Sequence, residues 1–120
     1  MKHYLINKRL TILDQNLVFY ELLSEDEYRV YMYAKLKLKH LYKYLIEVYK
    51  EIDLLAFEPT EISDIDYQIL SKYTPDTGEY IMDDITDMLI EKYEDEYSTN
   101  IDEVTPENLI KCIDGLSNIV

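Results

Sequence analysis

Carboxylates are the side chains through which this sequence could act. Residues 83–103 read DDITDMLIEKYEDEYSTNIDE: nine of the twenty-one are Asp or Glu, and Lys92 is the single base. Groups at this density could transfer protons, bind a cation or meet a basic surface. Proton transfer of the glycosidase kind needs two carboxylates facing each other across a cleft. Any two of the twenty-five acids could do so, but two Gly, no Trp and no loop-borne motif argue against an enzyme. Calcium in an EF-hand needs oxygen ligands at loop positions 1, 3 and 5, Gly at 6 and Glu at 12. Placing Gly78 at position 6 puts Tyr73, Pro75 and Thr77 at the ligand positions and Asp84 at 12, so the pattern fails. Zinc or nucleophilic chemistry would require His and Cys in combination, and the chain offers only His3, His40 and Cys112. There is no phosphate loop, G-x-S-x-G or H-E-x-x-H. No metal and no cofactor are expected.

Recognition of a basic surface fits the spacing better. On a helix of 100° per residue, Asp83, Asp84, Asp87, Glu91, Glu94 and Asp95 fall within about a third of the circumference. Ile81, Met82, Ile85, Met88, Leu89, Ile90, Tyr93 and Tyr97 occupy the other side, where only Glu96 intrudes. Asp83, Asp87, Glu91 and Asp95 form an i,i+4 row of like charges, each pair opposing the helix by roughly 0.2–0.5 kcal/mol. Asp102 and Glu103 would extend this track. The expected partner-binding set is therefore Asp83, Asp84, Asp87, Glu91, Glu94, Asp95, Asp102 and Glu103. The competing explanation is a solvated face that serves solubility alone.

The elements that carry these residues follow from caps and periodicity. Ser24 and Glu27 form a capping-box pattern. A long helix starting there gathers Val30, Tyr31, Ala34, Leu38, Leu41, Leu45, Val48, Tyr49 and Ile52 on one face, with Arg29, Lys35, Lys39, His40, Lys43 and Lys50 opposite. From Tyr28 to Lys39 the chain also alternates as a strand would, and LTILDQNLVFY before it is compatible with a hairpin around Asp14-Gln15-Asn16. The cap and the continuing helical pattern favour helix. Upstream, Asp14 is read as the cap of a short helix reaching Leu23. Downstream, FEPTEIS (57–63) reads as a loop, and Ser63 caps a helix presenting Ile65, Ile69, Leu70 and Tyr73. TPDTG (74–78) reads as a turn. The acidic helix then runs from about Glu79 to Tyr97, and Thr105-Pro106 opens a last one. Leu109, Ile110, Cys112, Ile113, Leu116 and Val120 share a side of it, which predicts a buried, inert thiol at Cys112. With so few Gly and Pro, the expectation is a mainly α, compact single-domain bundle of four to five helices over residues 1–120. The alternative is an α+β fold with an N-terminal hairpin or meander within residues 4–39.

The charge is divided along the chain. Residues 1–50 hold nine Lys/Arg and six Asp/Glu, a net of +3; residues 51–120 hold three and nineteen, a net of −16. Such asymmetry concerns partners and solubility rather than fold. The N-terminal stretch lacks a secretory apolar region and no apolar run would span a bilayer. A single Cys excludes an internal disulfide, so a cytoplasmic setting without membrane contact is expected. Thirteen Tyr against two Phe supply rings with polar tips that suit an interface.

Together these features predict a small acidic non-enzymatic binding protein that covers a basic, nucleic-acid-binding surface of a partner protein by charge mimicry. In size, acidity and helicity the chain resembles the small antirestriction and anti-defence proteins of phages that imitate DNA. That resemblance rests on no motif and assigns no residue a role, but it implies a phage or viral origin. Two alternatives come from other classes. One is an assembly protein, a homodimer or larger, that joins its basic half to the acidic half of another copy. The other is a small regulatory nucleic-acid binder using KLKLKHLYK (35–43), although the −16 half offers phosphate no attraction, and direct nucleic-acid contact is not expected.

Overall fold

The computed structural model describes residues 1–12, 14–38, 55–73 and 80–119. The chain opens with a hairpin. Strand β1 (His3–Ile12) pairs antiparallel with β2 (Gln15–Ser24), in a register running from His3 opposite Ser24 to Ile12 opposite Gln15. Asp14, in the connection, has φ 62°, a left-handed conformation that Asp tolerates better than most side chains. A third strand, β3 (Thr60–Ile62), pairs antiparallel with the start of β1, giving the order β2-β1-β3. Four helices complete the described chain: α1 (Glu25–Lys37), α2 (Asp64–Ser71), α3 (Ile81–Tyr97) and α4 (Pro106–Ser117).

The fold is therefore α+β, and the mainly α expectation is corrected. Residues 14–23 are not a helix capped by Asp14; Gln15 already pairs with Ile12 across the hairpin. Scarcity of Gly and Pro misled because a three-stranded sheet with one tight turn needs few turn residues. Thr60–Ile62, expected as loop, adds the third strand; the alternative α+β reading, with an N-terminal hairpin within residues 4–39, fits, although Gln15 and Asn16, read as turn, already belong to β2.

Between helix and strand for residues 28–37, the helix prevails. Ser24 Oγ accepts from the Glu27 N–H at 3.1 Å, and Glu27 Oε1 accepts from the Ser24 N–H at 3.0 Å. Val30, Tyr31, Ala34 and Leu38 are buried as the helical face requires, whereas Leu36, which strand alternation would bury beside them, is 65% exposed. The described helix ends at Lys37; the expected continuation to Ile52 and the turn at 74–78 lie outside the described residues.

The core sits on one face of the sheet. Tyr4 and Ile6 of β1 point into it with their cross-strand neighbours Leu23 and Glu21, as the two-residue period of strands dictates. Against them lie the apolar faces of α1, α3 and α4, with α4 packed on both α1 and α3. Cys112 is fully buried, and burial pushes its thiol pKa up; Lys111 opposes this and Glu94 adds to it. Tyr31 is likewise buried, and its hydroxyl donates to the Phe57 carbonyl (3.1 Å) while accepting from the Phe57 N–H (3.0 Å). That pair of bonds fastens the segment before β3 to α1.

The opposite sheet face meets α2. His3 stacks on Tyr67 with ring centroids 3.6 Å apart, and the Tyr20 hydroxyl donates to the Leu70 carbonyl at 2.7 Å. Ser63 caps α2 by accepting from the Asp66 N–H, as its sequence requires. Most of the expected apolar face does not pack, however: Leu70 is half-buried, but Ile65, Ile69 and Tyr73 are 70%, 52% and 72% exposed. Among the described residues no helix is long and apolar enough to cross a membrane.

Candidate interaction surface

Helix α3 carries the site, and its orientation is set by its two ends and its inner face. Ile81, Met82, Ile85, Met88, Leu89 and Tyr93 are buried, which turns the acidic arc outward. The N-terminus has no side-chain cap of its own, since Tyr80 occupies the N-cap position. A carboxylate from the sheet takes that place. Glu21, only 3% exposed, accepts from the Ile81 N–H at 2.7 Å through Oε1 and from the Met82 N–H at 3.1 Å through Oε2. Two of the helix's unpaired donors are thereby satisfied, and the buried charge faces the positive end of the helix dipole.

At the other end, Ser98 adopts a left-handed C-cap (φ 50°) and its N–H donates to the Glu94 carbonyl. Glu94 Oε2 accepts from the Ile101 N–H at 2.8 Å, which folds the following loop back against the helix. Gly115 of α4 permits close approach here. A Cβ at that position would lie 2.5 Å from the Tyr93 ring, and the Tyr97 hydroxyl donates to the Gly115 carbonyl at 2.7 Å.

Asp83, Asp87, Glu91 and Asp95 are all exposed along the outer ridge, as their spacing predicts. At 1.5 Å per residue the row spans about 18 Å, one carboxylate every 6 Å or so. Asp102 and Glu103 are also exposed, in the loop before α4, where the Glu103 carbonyl accepts from the Asn108 side-chain amide. The remaining two expected residues differ. Asp84 is half-buried and makes contacts inside the chain, and half-buried Glu94 holds the loop just described.

The cations among the described residues lie elsewhere. Lys2 approaches Glu61, Arg29 bridges Asp26 and Glu107, and Lys35 pairs with Glu58 at 2.6 Å while also donating to the Phe57 carbonyl. Lys37 lies over the Tyr33 ring, and Lys92 is half-buried and engaged within the fold. Among the described residues, no Lys, Arg or His nitrogen comes within 4 Å of the carboxylates of Asp83, Asp87, Glu91, Asp95, Asp102 or Glu103. Nor do three or more His, Cys, Asp or Glu side chains there converge on a point where a metal could sit.

Sequence reasoning missed one support of this surface and one part of it. One is Glu21, whose signal was an acid at an inward position of an alternating strand, obscured by reading that segment as helix. The other is a groove of about 260 Å³ beside Asp83, where the first turns of α1, α3 and α4 meet. It is a product of tertiary packing and has no local signature. Comparison of the chain with protein-family models, curated proteins and solved structures returns no match.

Proposed function

We propose that this is a non-enzymatic binding protein whose acidic C-terminal half covers a basic, nucleic-acid-binding surface on another protein. The observation that carries the reading is the exposed row Asp83–Asp87–Glu91–Asp95, which has no cation partner among the described residues. Helix electrostatics oppose this arrangement. Each i,i+4 pair of like charges is unfavourable, and α3 has no basic residue in its last turn. Asp95 and Glu96 stand at the negative end of the dipole, where a cation would contribute roughly 0.3–1 kcal/mol. A surface built for solubility would mix signs and stop well short of a net −13.

A basic partner resolves the conflict by supplying the missing cations on binding. The carboxylate spacing of about 6 Å is close to twice the ~3.4 Å rise per phosphate along one DNA strand. A surface built to follow a phosphate backbone could thus engage roughly alternate charges. The ridge is presented by a helix fixed at both ends, which lowers the ordering cost of association. A phage or viral source would be in keeping with an acidic protein that covers a nucleic-acid-binding surface. The basic residues that the self-assembly reading would use are in part committed internally, Lys35 to Glu58 and Arg29 to Asp26 and Glu107.

The test is affinity capture with the native chain and with an Asp87→Asn/Glu91→Gln variant, at low and high salt, followed by displacement with duplex DNA. The expected result is a nucleic-acid-binding protein retained by the native chain, held less by the variant and released by DNA. Equal retention by both chains, or no release by DNA, would overturn the reading.

A further inference from the structure

The groove beside Asp83 has an apolar floor and an acidic rim. Val30, Met82 and Leu109 form the floor, while Val104, which is 64% exposed, stands at its mouth. Asp26, Glu27 and Asp83 border it. Asp83 is also the first member of the exposed row, so the groove lies at one end of the surface proposed to meet a basic partner.

Its size and charge select the occupant. A cavity of ~150 Å³ can hold a benzene ring, whereas pockets for drug-sized molecules start near 300 Å³. At about 260 Å³, the groove suits one large side chain better than a free small molecule. Three helix N-termini converge here, which by itself would favour an anion. One or two of the free amides at each are already occupied, however. Ser24 accepts from the Glu27 N–H, Thr105 from the Asn108 N–H, and Glu21 from the Ile81 and Met82 N–H groups. Around the opening, Asp26, Glu27, Asp83 and Glu107 stand against the single guanidinium of Arg29. That formal −3 outweighs three dipole ends of about +0.5 each.

We infer that this groove seats one apolar side chain of the partner, flanked on the partner by Lys or Arg residues that meet Asp26, Glu27 and Asp83. This rests on the proposed function and deepens it. The row supplies long-range attraction, which is weakly selective, and the groove supplies a desolvated anchor of the kind that dominates binding energy and fixes register.

Two fluorescein-labelled lysine-rich peptides, identical except for a central Leu or Ala, test this by anisotropy titration. The Leu peptide should bind about tenfold tighter than its Ala twin, from the additional apolar area buried. Thr86→Phe, which fills the groove from its wall, should bring that ratio close to one. Methyl NMR on the native chain gives a readout independent of any variant: Val104, Val30 and Leu109 should shift with the Leu peptide and stay put with the Ala peptide. Equal affinity for the two peptides, both weakened by salt, would overturn the groove and leave the acidic row standing. A Leu preference that survives Thr86→Phe, or that leaves the groove methyls unmoved, would overturn the location. No binding of either peptide at low salt would overturn groove and row together.

Discussion

Glu21 and the Asp83–Asp95 row bring the same functional group to the same helix in opposite states. Glu21 is buried in strand β2, and both its oxygens accept backbone N–H groups at the first turn of α3. The row is exposed and has no cation partner among the described residues. A buried charge survives only where hydrogen bonds and local potential compensate its lost hydration, so the fold fully accounts for Glu21. Nothing among the described residues accounts for the row. That difference separates carboxylates that hold the structure from those proposed to meet a partner.

The comparison breaks most visibly at Glu21. Glu21→Ala would leave the Ile81 and Met82 amides unsatisfied in a buried site and remove a charge from the positive end of the dipole. The expected loss is about 2–4 kcal/mol, read as a lower urea midpoint. Glu21→Gln keeps the shape and one acceptor and should cost roughly half as much. A loss below about 0.5 kcal/mol for Glu21→Ala would show that the cap is dispensable.

The inner face of α3 gives the next largest effect. In Gly115→Ala the new methyl would meet the buried Tyr93 ring. Overpacking costs about 1–3 kcal/mol, and the better helix propensity of Ala returns up to about 1. A net destabilisation of up to about 2 kcal/mol is expected by thermal unfolding. A variant more stable than the native chain would mean that Tyr93 moves aside freely.

These two sites show what was legible in the sequence and what was not. The helix starts at Ser24, Ser63 and Thr105 were readable because each cap bonds the amide three residues on. The apolar and acidic sides of α3 were readable because helical periodicity is local. The sheet was not, because pairing of β1 with β2 and with β3 is settled by cross-strand partners, and Asp14 reads equally as a helix cap or a left-handed turn residue. Glu21 reaches α3 across sixty residues, and the groove needs three helices to meet; neither leaves a signal in any short window. In α2 the apolar spacing was real, but it does not imply burial on a helix that merely touches the sheet.

Asp114 sharpens the comparison from an intermediate position, since its side chain is exposed yet accepts the Tyr33 hydroxyl. That hydrogen bond, then burial and the negative charge of Asp114, hold the Tyr33 pKa above its ordinary value. The unfolded chain therefore releases this proton first. The stabilisation is complete below about pH 10 and is lost as pH rises through the folded value. Tyr33→Phe should lack this contribution, so the stability gap between the native chain and the variant should hold constant up to about pH 10 and narrow as the pH rises beyond it. A gap that stays constant would show that the bond does not distinguish the two protonation states.

The smallest change in stability is expected where the largest change in function is. Asp87 and Glu91 lie beyond the first turn of α3, so neither helps the N-terminal dipole, and both are exposed. Replacing them by Asn and Gln relieves three i,i+4 repulsions, with Asp83, with each other and with Asp95. At roughly 0.2–0.5 kcal/mol each, less the small propensity change at Asn, the fold should be unchanged or slightly stabilised. Glu21, under the same loss of charge, should move the other way. Partner binding should weaken, chiefly through slower association, because long-range attraction steers encounter and its rate falls with salt. Stopped-flow association with the captured partner, run across a salt series, reads this directly: the native rate should fall steeply with salt and the variant's less so. If rate and salt slope were the same for both chains, the row would be a solvated face, and only its contribution to solubility would distinguish it from any other exposed surface.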